Sequence, residues 1–174
     1  MGRSNTNFFG EYILKTFYEK DKQDSILRHA RELEDSTIED TLRRYAIFLD
    51  ESKISLTIPE FEEDDTFRGK GRFGQFLERQ YFGLTTNNES RPDFLEANLE
   101  LKVAPLKRLK SNNLLRAKER IVLGIIDYFS IVDEEFDTSH FIYKNSEILL
   151  VFYIHDQLAQ LKDLHVELVD IWRC

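Results

Sequence analysis

The sequence predicts an α/β chain of the α+β kind: β-strands in a sheet flanked by helices, with further helices towards the N-terminus. Three observations lead there. Apolar residues recur at helical spacing early in the chain, in residues 24–34 and 38–49. Residues 98–103 alternate polar and apolar with a period of two, the pattern of a half-buried strand. Two more apolar or partly alternating runs, 148–154 and 165–172, follow late in the chain. A length of 174 residues suits one domain with a sizeable core. Within that single domain, 1–67 form an N-terminal helical part and 68–174 a core that carries the residues of chemical interest.

Taken in order, Ile26, Leu27, Ala30 and Leu33 line one side of a first helix that starts at Asp24-Ser25. Ser36 or Thr37 is placed to cap a second, whose stripe is Leu42, Tyr45, Ala46 and Leu49. Residues 50–67 are acidic, contain Pro59 and read as a loop with a short extended piece at 54–58. Residues 68–72 form a basic, glycine-bearing turn, and 73–82 a helix whose stripe is Phe73, Leu77 and Tyr81. A polar loop, 85–91, delivers the chain to Pro92. From Asp93 to Glu100 a tight hairpin is expected, cornered at Ala97-Asn98. The strand after it carries Glu100 and Lys102 on one face and Leu99, Leu101 and Val103 on the other. Residues 105–113 read as a basic loop or hairpin tip. The apolar run Ile121 to Ile126 suits a buried strand or a buried helix, and periodicity leaves both open. Ile142 and then 148–154 read as strand, and Val166 and Leu168, apolar between polar neighbours, place another in 165–172.

No stretch approaches the roughly 20 apolar residues of a membrane span, and no secretory hydrophobic segment is present. The single cysteine, Cys174, excludes intrachain disulfides and cysteine-rich zinc sites. The expectation is a cytoplasmic protein with no membrane partner. The net charge of −8 is unevenly spread. Residues 1–67 carry 9 basic and 16 acidic side chains, residues 68–120 carry 12 and 6, and residues 121–174 carry 3 and 10. Local potential governs the encounter with a polyanion better than the overall sum, so the middle block is the candidate surface for nucleic acid.

Asp93, Glu100 and Lys102 lie in that block. A hairpin returns Asp93 to the side of Glu100, and two carboxylates at close range repel unless a cation lies between them. Mg²⁺ takes oxygen ligands in octahedral geometry and keeps several waters. The backbone carbonyl of Leu101 is a further oxygen on the same strand. Lys102 is placed to orient or help deprotonate an attacking water, or to steady the charge of a phosphoryl transition state. The bland alternative is an ordinary Glu–Lys pair on a surface strand. His29, His140, His155 and His165 have no ligand-like spacing and read as structural or surface residues.

The order Pro92-Asp93…Glu100-Leu101-Lys102 resembles the Pro-Asp…(Asp/Glu)-x-Lys core of the restriction-endonuclease-like nuclease superfamily. More specifically, Lys70-Gly71-Arg72-Phe73-Gly74-Gln75-Phe76-Leu77-Glu78 resembles the Lys-Gly-x-x-Gly-x-x-Leu-Glu helix of the MutH-like endonucleases, which include a mismatch-repair nicking enzyme and restriction enzymes that cut at GATC. Asp137-Thr138-Ser139 through Lys144 is similar to that family's Glu-Thr-Ser…Lys segment, and the helix pair from Ser25 to Thr41 is similar to its N-terminal helices. One departure is physically readable. The family usually has glycine where this chain has Asn98, and asparagine is the residue after glycine that best tolerates a left-handed backbone. The hairpin is therefore expected to form.

The resemblance implies a restriction-endonuclease-like core, a mixed central β-sheet flanked by helices, in which Glu78 completes the acidic cluster and serves a second metal position. It makes Lys144 an additional functional lysine, close to phosphate or to the active site. Asp93, Glu100, Lys102, Glu78 and Lys144 are then the expected catalytic set, with Asp93, Glu100, Leu101 and Glu78 holding Mg²⁺. Lys70, Arg72, Lys107, Arg108, Lys110, Arg116, Lys118 and Arg120 are the expected phosphate-backbone contacts, taken as a group. The implied activity is that of a type II restriction endonuclease, hydrolysing double-stranded DNA at GATC with Mg²⁺. A cognate DNA methyltransferase is the implied genetic partner, and a second domain or a dimer partner is implied on DNA. A nicking endonuclease of mismatch repair and a DNA-binding module without turnover are the alternatives. MutH-like domains continue beyond the point where this chain stops, so a domain incomplete at its C-terminus is expected.

Overall fold

The computed structural model describes residues 18–51, 71–84, 91–124, 132 and 134–173. The expected loop and extended piece at 52–67, the basic turn up to residue 70 and residues 85–90 of the polar loop lie outside these. In chain order the elements are α1 (Gln23–Arg31), β1 (Ser36–Thr37), α2 (Ile38–Glu51), α3 (Arg72–Phe76), a wide helical turn Leu77–Tyr81, β2 (Glu100–Arg108), β3 (Leu115–Ala117), α4 (His140–Asn145), β4 (Glu147–Ile154) and β5 (His165–Arg173). The strands form one sheet in the order β1-β5-β4-β2-β3. β2 runs parallel to β4, and the other neighbours are antiparallel. This is the mixed, helix-flanked sheet that the sequence predicts.

Local chemistry accounts for the helices. α1 carries Asp24 in its first turn and Arg28, His29 and Arg31 in its last, which complements the helix dipole. Asp35, at φ 54°, turns the chain after it. Thr37 then caps α2, its Oγ1 accepting the Asp40 backbone N–H at 3.1 Å. Of the stripe in α3 and the wide turn, Phe73 is 2 % exposed and Leu77 and Tyr81 are 0 % exposed, so all three face the core as expected. Ile26, Ile38, Phe76 and these three residues meet Leu99, Leu101, Leu149, Val151, Val166 and Val169 from the sheet. Full burial of one such side chain stabilises by about 1.5–3 kcal/mol. No helix among the described residues is long and apolar enough to cross a membrane.

Four local expectations are corrected. Ile142 lies in α4 rather than in a strand, because Ser139 caps that helix by accepting the Ile142 N–H on its Oγ at 3.3 Å. Residues 105–108 belong to β2, and the turn of the β2–β3 hairpin occupies 109–114. Pro105 is tolerated because its carbonyl side, and so the side of its missing N–H, faces Lys118 just past the end of β3, where the carbonyl accepts the Lys118 N–H at 2.8 Å and no ladder donor is needed. Residues 121–124 form no regular element, and Val122 is 70 % exposed, so the described part of that apolar run is neither a buried strand nor a buried helix. Ile125 and Ile126 lie outside the described residues. Finally, Val166 and Leu168 do not share a face. A bulge where Phe152 pairs with Leu168 and Tyr153 with Val166 shifts the alternation, so Val166 and Val169 are buried while Leu168 is 49 % exposed.

Candidate active site

The expected hairpin before β2 is present. Phe94 and Leu99 pair across it, with Phe94 N–H donating to the Leu99 carbonyl at 3.0 Å and Leu99 N–H to that of Phe94 at 3.2 Å. Asn98 closes the corner at φ 50°, the left-handed conformation that glycine would otherwise supply. Both paired side chains are buried, which fixes the hairpin to the core. Asp93 is thereby returned to Glu100: its N–H donates to Glu100 Oε2 at 3.3 Å, and its own Oδ2 accepts the Leu101 N–H at 2.9 Å.

Glu100 is 2 % exposed, an unusual place for a carboxylate, and it is compensated from two elements. Lys102 Nζ, two residues along β2, donates to Glu100 Oε1 at 2.6 Å. Lys144 Nζ lies 3.6 Å from the same oxygen. The parallel register explains the second lysine. Glu100 pairs with Ile148 at the start of β4, and Lys144 occupies the last turn of α4, the helix that leads into that strand. Lys144 is therefore a helical residue and not the strand-end lysine that a strand through Ile142 implies. Burial raises the Glu100 pKa, and the Asp93 carboxylate raises it further; the lysines oppose both.

Glu78 sits on the wide turn after α3. Gly74 brings this helix close to β2, where a Cβ on it would lie 3.7 Å from Val103 Cβ. Burial lifts the Glu78 pKa to about 7, with further contributions from Asp93 and then Glu100, while Lys102 lowers it. Glu78 thus feels the charge of Asp93 and Glu100, and Glu100 that of Asp93. Their donors are hard oxygens, suited to a divalent cation of the Mg²⁺ kind, whose charge relieves their repulsion. Glu78, Asp93, Glu100 and the Leu101 carbonyl are the groups available to hold it. They fit such an ion in chemistry and charge. In spacing, no three Asp, Glu, His or Cys side chains among the described residues already converge as a metal cage.

The basic residues separate into groups. Lys107, Arg108, Lys110 and Arg116 are exposed on the β2–β3 hairpin, where Lys107 stands directly opposite Arg116. Arg108 approaches Glu167 at 3.9 Å. Lys118 is partly buried with its Nζ 2.8 Å from His155 Nε2, so it is less open to a ligand than its neighbours. Arg120 is exposed past the hairpin, Arg72 is exposed at the start of α3, and Lys70 lies outside the described residues. Of the histidines, His29 is 3 % exposed in the core, whereas His140 is exposed.

Comparison with known proteins bears on the family of the chain. Residues 82–174 match the family described as DNA mismatch repair enzyme MutH, which is more than half of the chain. The matched span contains Asp93, Glu100, Lys102 and Lys144, and starts just after Glu78. The chain is also 43 % identical over 86 residues to the type II restriction enzyme Sau3AI of Staphylococcus aureus, an alignment covering 49 % of this chain and 17 % of that enzyme. The chain thus corresponds to a small part of that relative. The matched stretch includes the hairpin, the lysine-flanked Glu100 and most of the sheet around them, and the chain belongs to the MutH family.

Proposed function

We propose that this chain is the catalytic portion of a type II restriction endonuclease, hydrolysing phosphodiester bonds of double-stranded DNA with Mg²⁺, and that GATC is its site. The observation that carries the reading is the buried Glu100 carboxylate held beside Asp93 with Lys102 at 2.6 Å and Lys144 at 3.6 Å from one oxygen. Two carboxylates and two ammonium groups at a strand end suit phosphoryl chemistry better than fold stability, since burying an ion pair in place of apolar residues gains little. Similarity to a restriction enzyme supports the restriction reading, and the resemblance of the Lys70–Glu78 segment supports GATC.

In the proposed reaction, water adds to phosphorus, one P–O ester bond breaks, and a proton passes to the leaving oxygen. When bound, Mg²⁺ supplies Lewis acidity and lowers the pKa of a coordinated water. Lys102 holds the attacking water by hydrogen bond and offsets the charge that builds on the phosphoryl oxygens. Lys144 adds a second positive charge at the same place. Asp93, Glu100, Glu78 and the Leu101 carbonyl would provide the oxygens for the ion, and the β2–β3 hairpin contacts the phosphate backbone. Restriction at an unmodified site implies a cognate methyltransferase that protects host DNA, and a second domain or subunit to complete the grip on the duplex.

The test is incubation of the purified chain with plasmid containing GATC sites, with and without Mg²⁺. The expected result is discrete Mg²⁺-dependent fragments, abolished by Asp93→Ala. Nicked circles in place of linear fragments support strand nicking instead. Binding in a gel shift with no cleavage at any metal concentration overturns the enzymatic reading, and cleavage unaffected by Asp93→Ala overturns the site.

A further inference from the structure

The helix that carries Glu78 does not continue as a regular α-helix. Phe82 N–H reaches back five residues to the Leu77 carbonyl at 2.9 Å, and Leu84 N–H reaches the carbonyl of Glu78 itself at 2.7 Å, closing around Gly83 at φ 57°. Such wide turns are rare and recur at functional sites. One extra residue in a turn rotates the residues after it by about 100° relative to a regular helix. A relaxed turn therefore cannot keep both Glu78 and Tyr81 where they are.

Three groups of the N-terminal helical part grip this turn. The buried Tyr81 hydroxyl donates to the His29 carbonyl at 2.8 Å. Tyr18 Oη donates to the Phe82 carbonyl at 2.5 Å, and Lys20 Nζ to that of Gly83 at 2.6 Å. The His29 ring lies between two tyrosines, stacked on Tyr81 with centroids 4.4 Å apart at 10° and on Tyr18 at 4.5 Å and 9°. Tyr45 Oη meets His29 Nδ1 at 3.2 Å, so the histidine is held on its edge as well. An apolar contact would bury the same area. A parallel stack with a hydroxyl-to-carbonyl bond also fixes rotation about the helix axis.

We propose that Tyr81 is a positioning residue: stacked on His29 and bonded to its carbonyl, it sets the rotation of the wide turn and so orients the Glu78 carboxylate that the turn carries. The proposal rests on the reading of Glu78 as part of the active centre. It assigns to the N-terminal helices a part in catalysis, exerted through residue 81 and without contact to DNA.

A double-mutant cycle tests it. Tyr81→Phe keeps the ring and deletes the hydroxyl bond; Glu78→Gln removes the carboxylate charge. Cleavage rates, thermal midpoints and Mn²⁺ affinity by calorimetry are measured for the wild type, both single variants and the double variant. Tyr81→Phe is expected to lower kcat by about tenfold with KM changed less than about twofold, since small misplacement of a reacting group acts on rate. It is also expected to weaken Mn²⁺ binding. In the Glu78→Gln background the same change should cost nothing further in either measurement. Equal losses in both backgrounds, or a lower thermal midpoint with kcat and Mn²⁺ affinity unchanged, overturn the proposal. The Mn²⁺ readout separates it from the proposed function. Coupling in Mn²⁺ affinity by a chain that cuts no DNA keeps the positioning role and removes the nuclease reading. Cleavage without coupling does the reverse, and a chain that neither cleaves nor binds Mn²⁺ overturns both.

Discussion

Lys144 Nζ stands 3.6 Å from Oε1 of Glu100, the oxygen that Lys102 already engages at 2.6 Å. Two cations on one carboxylate oxygen should act jointly. Lys102→Ala is expected to slow DNA cleavage by about 100-fold or more, the scale for losing one donor to a developing charge. Lys144→Ala, whose ammonium is more distant, should cost about tenfold by the same reasoning. The double variant should lose less than the product of the two, because both lysines serve one oxygen. Plasmid cleavage under single-turnover conditions measures all three, and losses that multiply independently would separate the lysines' roles.

Asp93 has a structural share that can be split from its charge. Its Oδ2 accepts the Leu101 N–H at 2.9 Å, which pins the start of β2 to the hairpin. Asp93→Ala should therefore lower unfolding free energy by about 1–2 kcal/mol besides ending cleavage. Asp93→Asn keeps an acceptor and removes the repulsion with Glu100, so it should be as stable as the wild type and still inactive. Urea denaturation beside a cleavage assay checks both, and an active Asn variant would show that the charge is dispensable.

The proximity of Asp93 to Glu100 is legible in the sequence because a hairpin is local: a short span, an asparagine able to turn left-handed and a period-2 strand are enough. The meeting of Lys144 with Glu100 is not, since it depends on the parallel register of β2 with β4 and on a six-residue helix set by Ser139. The apolar residues after Glu147 declare a strand by themselves, whereas Ile142 is helical only through that cap. The bulge in β5 is hidden for a similar reason. It is defined against β4, and Leu168 alone shows no sign that it leaves the core face. The stack of His29 on Tyr81 joins residues 52 apart, so the helical pattern around each says nothing of their contact.

The β2–β3 hairpin places Lys107 directly across from Arg116. Like charges in opposed positions are mildly destabilising, and a phosphate between them removes the penalty. Lys107→Gln with Arg116→Gln should leave the fold as stable or slightly more so. Duplex binding should weaken about equally for GATC and scrambled sequences, and the slope of log affinity against log salt should fall by about one for each phosphate no longer neutralised. Titrations at several NaCl concentrations measure this. A weakening confined to GATC duplexes would instead assign these residues to base reading.

His29 gives the fold an acid limit. The side chain is 3 % exposed, its Nε2 has no hydrogen-bond partner among the described residues, and burial depresses its pKa to about 4 against an ordinary 6.5, the nearby Tyr81 backbone opposing only in part. Because the unfolded chain takes up the proton first, His29 contributes its full stability above pH 6.5. The contribution is lost progressively as the pH falls towards 4, and amounts to about 3 kcal/mol over the window. His29→Phe keeps a ring between Tyr18 and Tyr81 and cannot titrate. At about pH 7 it should be less stable than the wild type by about 1 kcal/mol, the value of the missing bond with Tyr45. At about pH 4.5 it should be the more stable of the two. Urea unfolding at both pH values reads this crossing directly, and parallel curves for the two proteins would mean that His29 takes up its proton as readily in the folded as in the unfolded chain.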